Sequence, residues 1–454
     1  MESRPTSLRR SLGALEYFTF GFGSMVGVGW LVVIDDWLGR GGPGGAMLGF
    51  LAGGLLLLPI ARTYGRLVRQ IPDAGAEIAY TERVFPKTVS FVAGWMMVLA
   101  YAIVCPWEAV AIGNVLARIF PAMNEVVLYT VAGKAITLPR LVAGLALTAA
   151  IGLVNYRGIR LSGRFQNFTT IGMLACFALF VLLGLGHGRA AHVAPLFAPH
   201  GAFLSVLLTA QIVPYFMTGF ESIPKASEEA RPGLDERVLG RAITLAVIAG
   251  GVFYVLVIGV VAWVYPWREI VAQHLGTEAV FARAFGATWI ARLILGAALL
   301  SLFKVFNGNF VAATRLLYAL GRRGLVHPAL GRVSERFGTP AVAIVLVSLV
   351  AAVAAFLGDS LLVPITEVGS AVVGVGWCAA CVAFLALARR SGERRGITMA
   401  AIGALVSVAI VFMKVMPIVP GSFNAPEWIA LAGWCVLGGA LWWTRAGGAG
   451  RASA

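Results

Sequence analysis

Four ionisable side chains interrupt stretches of this chain that are otherwise apolar: Glu108 within CPWEAVAIGN, Glu221 within GFESIP, Lys304 within SLFKVFNGN, and Glu367. Charge in apolar surroundings is costly and is retained where it pairs, binds or carries a proton, so each is a candidate functional group. Glu108 could pair with Lys304, bind a substrate ammonium or relay a proton, and the residue types leave these open. Glu221 could serve ion coupling, or could brace an interrupted helix by accepting backbone N–H bonds. Lys304 is notable because the chain strongly prefers arginine, using lysine elsewhere only at 87, 134, 225 and 414. A lysine ammonium can release its proton and an arginine cannot. Soluble chemistries find less support. His187, His192 and His200 lie in a Gly/Ala/Pro-rich loop without acidic neighbours, a poor metal site. Cys378 and Cys381 sit among Ala and Val as small helix-packing residues. Neither a phosphate-binding loop nor a nucleophile and base at working distance is recognisable. The expectation is no enzyme, no metal and no cofactor beyond a coupling ion.

The elements that must position these groups are membrane helices. Of 454 residues, 59% are hydrophobic and only 13% charged. Apolar runs recur roughly twelve times, each near the ~20 residues a spanning helix needs. Their cores are 17–34, 46–61, 89–112, 141–154, 168–185, 203–223, 242–264, 290–317, 341–357, 361–387, 397–415 and 428–443. Basic residues alternate with these runs. One side holds Arg9, Arg10, Arg62, Arg66, Arg69, Arg157, Arg160, Arg164, Lys225, Arg231, Arg322, Arg323, Arg389 and Arg390, whereas the other holds few, such as Arg40, Lys134 and Arg189. Positive loops stay in the cytoplasm, so both termini are expected there. The net charge of +15 follows this topology, which points to anionic lipid head groups and not to nucleic acid. No cleavable signal is evident, and the Ala-, Gly- and Arg-rich composition suggests a bacterial inner membrane. Asp35 and Asp36 fit an outer vestibule, and Lys414 is expected to snorkel.

Residues 21–30, GFGSMVGVGW, carry glycine at 21, 23, 27 and 29. Each helix-interior glycine costs about 1 kcal/mol relative to alanine, so this stretch is poorly suited to a straight helix. Close helix approach through GxxxG spacing is one use for it. A second interrupted stretch, PYFMTGFESIP at 214–224, lies five helices later. Paired Gly/Pro-broken helices at matching positions point to inverted repeats around a binding site, where unpaired backbone groups meet a substrate.

These residues resemble the amino acid–polyamine–organocation superfamily of secondary transporters. The resemblance rests on Gly23, Ser24, Gly27 and Gly29, and on IPDAGAEIAY at 71–80 followed by Gly94-Trp95. It continues through GFESIPKASEEA at 219–230 and NGNFVAATRLLYALGRRGLVHP with Asn307, Arg315, Tyr318 and Gly324. Ala76 and Ile78 depart from the family's second glycine and first tyrosine. The resemblance implies an all-α polytopic, leucine-transporter-type fold with a 5+5 inverted repeat: 1–187, 188–390, and peripheral helices in 391–454. It implies a carrier of amino acids working by alternating access, with proton symport expected and sodium possible. The alternatives are an amine or polyamine carrier or an exchanger; an intramembrane enzyme or a channel is disfavoured. N–H groups around Ser24, Met25, Gly27 and Gly29 would hold a carboxylate. Carbonyls near Phe216–Gly219 would accept from an amino group, Phe220 would act as an aromatic lid, and Asn309 and Glu108 would contact substrate. Lys304, Glu108 and Glu221 are the coupling candidates; Lys304, one turn before Asn307, would face helices 1 and 5 where sodium-coupled relatives hold their cation. No obligate protein partner is implied.

Overall fold

The computed structural model describes residues 7–235, 237–419, 422–443 and 445. Among these, nine helices are long and apolar enough to cross a membrane: Ala14–Val32, Ile34–Gln70, Lys87–Ile119, Leu138–Arg157, Ile159–His187, Arg237–Val264, Thr288–Arg322, Glu367–Ser391 and Ile397–Val415. The shorter apolar helices Ala202–Phe216 and Ala341–Ala355 take the sixth and ninth places in chain order, and Ala425–Trp443 takes the twelfth. We number them spans 1 to 12. Among the described residues the sheet content is one hairpin between spans 3 and 4, β1 (Val127–Val131) with β2 (Lys134–Thr137).

Helix ends depart from the apolar cores where glycine and proline intervene. Span 2 is much longer than its apolar core at 46–61 and is kinked at Gly42, whose φ of 62° continues the chain past Pro43. The stretch IPDAGAEIAY contains the short helix Glu77–Glu82. Ala76, where the resemblance gives a second glycine, holds φ at 39° and ψ at −107°, a sparsely populated region that costs an L-residue on the order of 1–3 kcal/mol.

Small residues set how closely the helices pack. Gly45, Gly49 and Gly53 of span 2 recur every fourth residue, and an added Cβ at each would lie 2.5 Å from Ser205, Thr209 and Val213 of span 6. Spacing of this kind lets two backbones approach, and any larger side chain would separate them. Span 12 is clasped to span 3 by Trp95 and Trp434, whose rings stack at 4.2 Å while each indole N–H donates to the other's backbone carbonyl.

Two polar layers run through the bundle. Asn307 of span 8 accepts from Asn155 and Ser162 and donates to Gln166, and Gln166 donates to the carbonyls of Thr19 and Lys304, tying spans 1, 4, 5 and 8 together. The arginine-rich face is closed by ion pairs: Arg315 with Glu229 at 2.8 Å and Lys225 with Glu77 at 2.6 Å, all fully buried, and Arg322 with Glu228 at 2.6 Å nearer the surface. The N-terminal segment lies on this same face, with Arg9 donating to the Gly338 carbonyl and Leu12 to that of Glu229.

Candidate functional site

Span 1 is helical over Ala14–Met25 and again over Gly29–Val32, leaving 26–28 unwound. Unwinding frees backbone groups that must find other partners. Ser301 of span 8 donates to the carbonyls of Val26 and Gly27 at 2.9 and 3.0 Å. Lys304, one turn on, donates to the carbonyls of Gly23 and Val26. The ammonium thus occupies the carbonyl end of the first half-helix, where a cation is favoured. On the opposite side of the break, the N–H groups of Val28 and Gly29 meet no acceptor among the described residues.

Beyond Phe216 the sixth span continues through an unwound stretch, 217–221, into the short helix Ser222–Lys225. Gly219 stands at φ 128°, and a Cβ there would meet the Ser24–Met25 backbone at 2.7 Å, so conformation and contact both exclude a side chain. Glu221 turns back onto its own break: its carboxylate accepts from the Gly219 N–H at 3.0 Å and the Thr218 hydroxyl at 2.9 Å. Tyr254 of span 7 joins the two breaks. Its hydroxyl donates to the Phe216 carbonyl at 3.1 Å and lies 3.5 Å from the Met25 carbonyl of span 1.

Between the breaks lies a cavity of about 420 Å³. Ser24, Met25, Gly27, Gly29, Glu108, Phe216 and Asn309 line it, together with Trp107, Thr218 and Tyr254. It runs outward to Asp36, Arg40, Glu367 and Lys414, on the face opposite the closed, arginine-rich one. Glu108 is 3% exposed, and its Oε2 has no hydrogen-bond partner. A buried carboxylate oxygen without a donor calls for a ligand or a proton. Asn309 is held by its donation to the Val305 carbonyl at 2.8 Å.

Several expected placements require correction. Phe220 does not line the cavity: it is fully buried, stacked on Trp377 at 5.4 Å and edge-on to Tyr64. Phe216 lines the cavity instead, because the turn at Gly219 sends the two aromatics to different sides; its ring packs edge-on against Trp37 at 4.8 Å. Gly219 lies beneath the cavity against span 1 and is not among its lining residues. Lys304 is fully buried behind the break and forms no ion pair with Glu108. Lys414 does not snorkel; it pairs with Glu367 at 2.8 Å in the cavity mouth. Asp36, expected in an outer vestibule, lines the outer part of the cavity and pairs with Arg40, and Asp35 faces His274. Tyr254, Ser301 and the Glu77–Lys225 pair were not singled out from sequence. A lone hydroxyl after the glycines of AGGVFYV was the only local signal for Tyr254.

Gly27 gives a direct test of the cavity. A Cβ there would meet only Val305, at 3.9 Å, so a larger side chain enters open space without disturbing the helices. Gly27→Leu is expected to abolish substrate binding, read by counterflow, while the protein remains monodisperse on size exclusion. Unchanged affinity would show that the ligand sits elsewhere.

Two interrupted helices crossing at a central cavity, in a bundle of this size, define a membrane permease. A family model described as amino acid permease matches residues 12–441. The chain is 26% identical to the methylthioribose transporter of Bacillus subtilis, the alignment covering 96% of this chain and 93% of the relative. It is 25% identical to the branched-chain amino acid permease BcaP of the same organism, covering 95% and 87%. It is also 25% identical to the low-affinity putrescine importer PlaP of Escherichia coli, covering 71% and 72%. The chain belongs to the amino acid permease family, within the amino acid–polyamine–organocation superfamily; it is an all-α polytopic transporter and not an enzyme.

Proposed function

We propose that this protein is a secondary transporter that carries amino acids by alternating access, driven by proton symport. The observation that supports it best is the pairing of opposite chemistries around one cavity. The unpaired N–H groups of Val28 and Gly29 suit a carboxylate, and the unpartnered oxygen of Glu108 suits an ammonium. Relatives named for amino acids fit this reading. Lys304 supports the proton as coupling ion: its ammonium sits on freed carbonyls of span 1, where a bound cation would otherwise be needed, and lysine can lose that charge during a cycle. In this reading Glu108 carries the substrate ammonium and Glu221 braces the break.

The arginine-rich face is assigned to the cytoplasm of a bacterial cell and both termini to that side, which makes the cavity outward-facing in the inner membrane. The repeats 1–187 and 188–390 alternate around the site, with 391–454 peripheral. Amine transport is the second reading, supported by the two carboxylates Glu108 and Glu367 in one cavity and by the putrescine-importing relative.

The test is uptake of labelled amino acids into sodium-free proteoliposomes with and without an inward proton gradient. Gradient-dependent accumulation is the expected result. Uptake that needs preloaded amino acid would make the protein an exchanger. Uptake that needs sodium would remove the proton, and selective competition by putrescine would favour an amine.

A further inference from the structure

A second cavity, of about 360 Å³, lies apart from the transport path, between spans 3 and 4, the β1–β2 hairpin and the junction of spans 9 and 10. Its lining is partly apolar, including Val110, the buried Leu141 and Gly144, and it also carries Lys134 and Arg140. Close packing fixes the arginine's position: a Cβ on Gly113 would meet the Arg140 carbonyl oxygen at 2.7 Å, and one on Gly144 would meet that of Ala109 at 2.3 Å.

The charge in this cavity is uncompensated. Arg140 donates through one Nη to Asn114 at 3.3 Å and through the other to Asn124, so neutral amides hold the guanidinium, and its Nε is buried without a partner. Neither Arg140 nor Lys134 takes part in any of the ion pairs among the described residues. Arg140 also stands in the first turn of span 4, Leu138–Arg157, the helix end whose dipole repels a cation and attracts an anion. A fixed fork of donors, a second cation, a helix N-terminus and a partly apolar lining together suit an anion with an apolar tail. The flanking Leu138, Val142 and Phe356 are exposed, as lipid-facing residues are.

We propose that this cavity binds a phosphate-type anion through Arg140 and Lys134. The two sources of that chemistry are the phosphodiester of an anionic phospholipid in the adjacent leaflet and free phosphate. Occupancy would tie the hairpin, already joined to the end of span 9 by the Tyr129 hydroxyl donating to the Phe356 carbonyl at 2.7 Å, to the helices that flank the transport cavity.

The test is thermal unfolding of the delipidated full-length transporter in dodecylmaltoside. Short-chain phosphatidylglycerol, phosphatidylcholine of equal chain length, or inorganic phosphate is added at constant ionic strength. Phosphatidylglycerol is expected to raise Tm in a saturable way and phosphatidylcholine to leave it unchanged. A similar rise with inorganic phosphate would identify the free anion as a sufficient ligand. Lys134→Gln, at an exposed hairpin position, is expected to raise the half-saturating concentration about tenfold, as loss of one charged contact does, and Arg140→Gln to remove the response. If Arg140→Gln does not fold, Arg140→Lys with Lys134→Gln replaces it, and the same loss is expected. No shift with either anion, or an equal shift in the variants, would overturn the proposal.

Discussion

Replacing Lys304 with alanine is expected to abolish proton-driven accumulation while counterflow exchange of substrate continues. The side chain lies outside the cavity lining and its ammonium contacts the carbonyls of Gly23 and Val26. Its removal therefore leaves the proposed partners of the substrate, Glu108 and the N–H groups at 28 and 29, in place. A structural role would predict something else: exchange and accumulation would fall together as the break lost its support. Two measurements on one preparation, accumulation under an inward proton gradient and exchange without one, separate the two. Accumulation at wild-type level in Lys304→Ala would remove the coupling role. Lys304→Arg adds a second comparison, because it keeps a positive charge that cannot be released. It is expected to bind substrate without accumulating it.

Lys225→Met is expected to destabilise the protein by about 3–5 kcal/mol, the range for stripping one partner from a buried ion pair. Glu77 would be left fully buried with only the Tyr64 hydroxyl, at 2.5 Å, to offset its charge. The lysine also donates to the Glu221 carbonyl at 2.7 Å and lies over the rings of Tyr64 and Tyr101, so it fastens broken span 6 to the helix Glu77–Glu82. Combining it with Glu77→Leu removes both charges and should recover most of the loss, since an apolar replacement of a whole buried pair is often close to neutral. Unfolding by dodecyl sulfate in mixed micelles across the four proteins of the cycle gives the coupling directly. A single Lys225→Met with unchanged stability would show that the pair does not hold the closed face together.

The spans and the two breaks were legible in sequence because each depends on local composition: apolar length for the helices, and glycine and proline density for the interruptions. Residues facing the cavity were legible only in part. Ser24, Gly27 and Gly29 follow from the break itself and Glu108 from its charge in an apolar stretch, but choosing between Phe216 and Phe220 depends on how the chain turns at Gly219, φ 128°, which neighbouring letters do not encode. Lys225 reads as one more positive charge after span 6, and its burial depends on Glu77, 148 positions away. The same limit applies to Lys304. Its intramembrane position was evident, but whether it would reach Glu108 or the span 1 backbone is a matter of helix rotation, and the structure places it on the backbone. Lys414 reads as a helix-end cation, while its partner Glu367 belongs to a different helix.

The hydroxyl of Tyr254 has a single proton, shared between the Phe216 carbonyl of span 6 at 3.1 Å and the Met25 carbonyl of span 1 at 3.5 Å. Neither half can therefore swing away alone without abandoning a polar group in a water-poor interior. Such a bridge acts as a synchroniser. Under the alternating access proposed above, it would penalise half-completed excursions in which one interrupted helix has moved and the other has not.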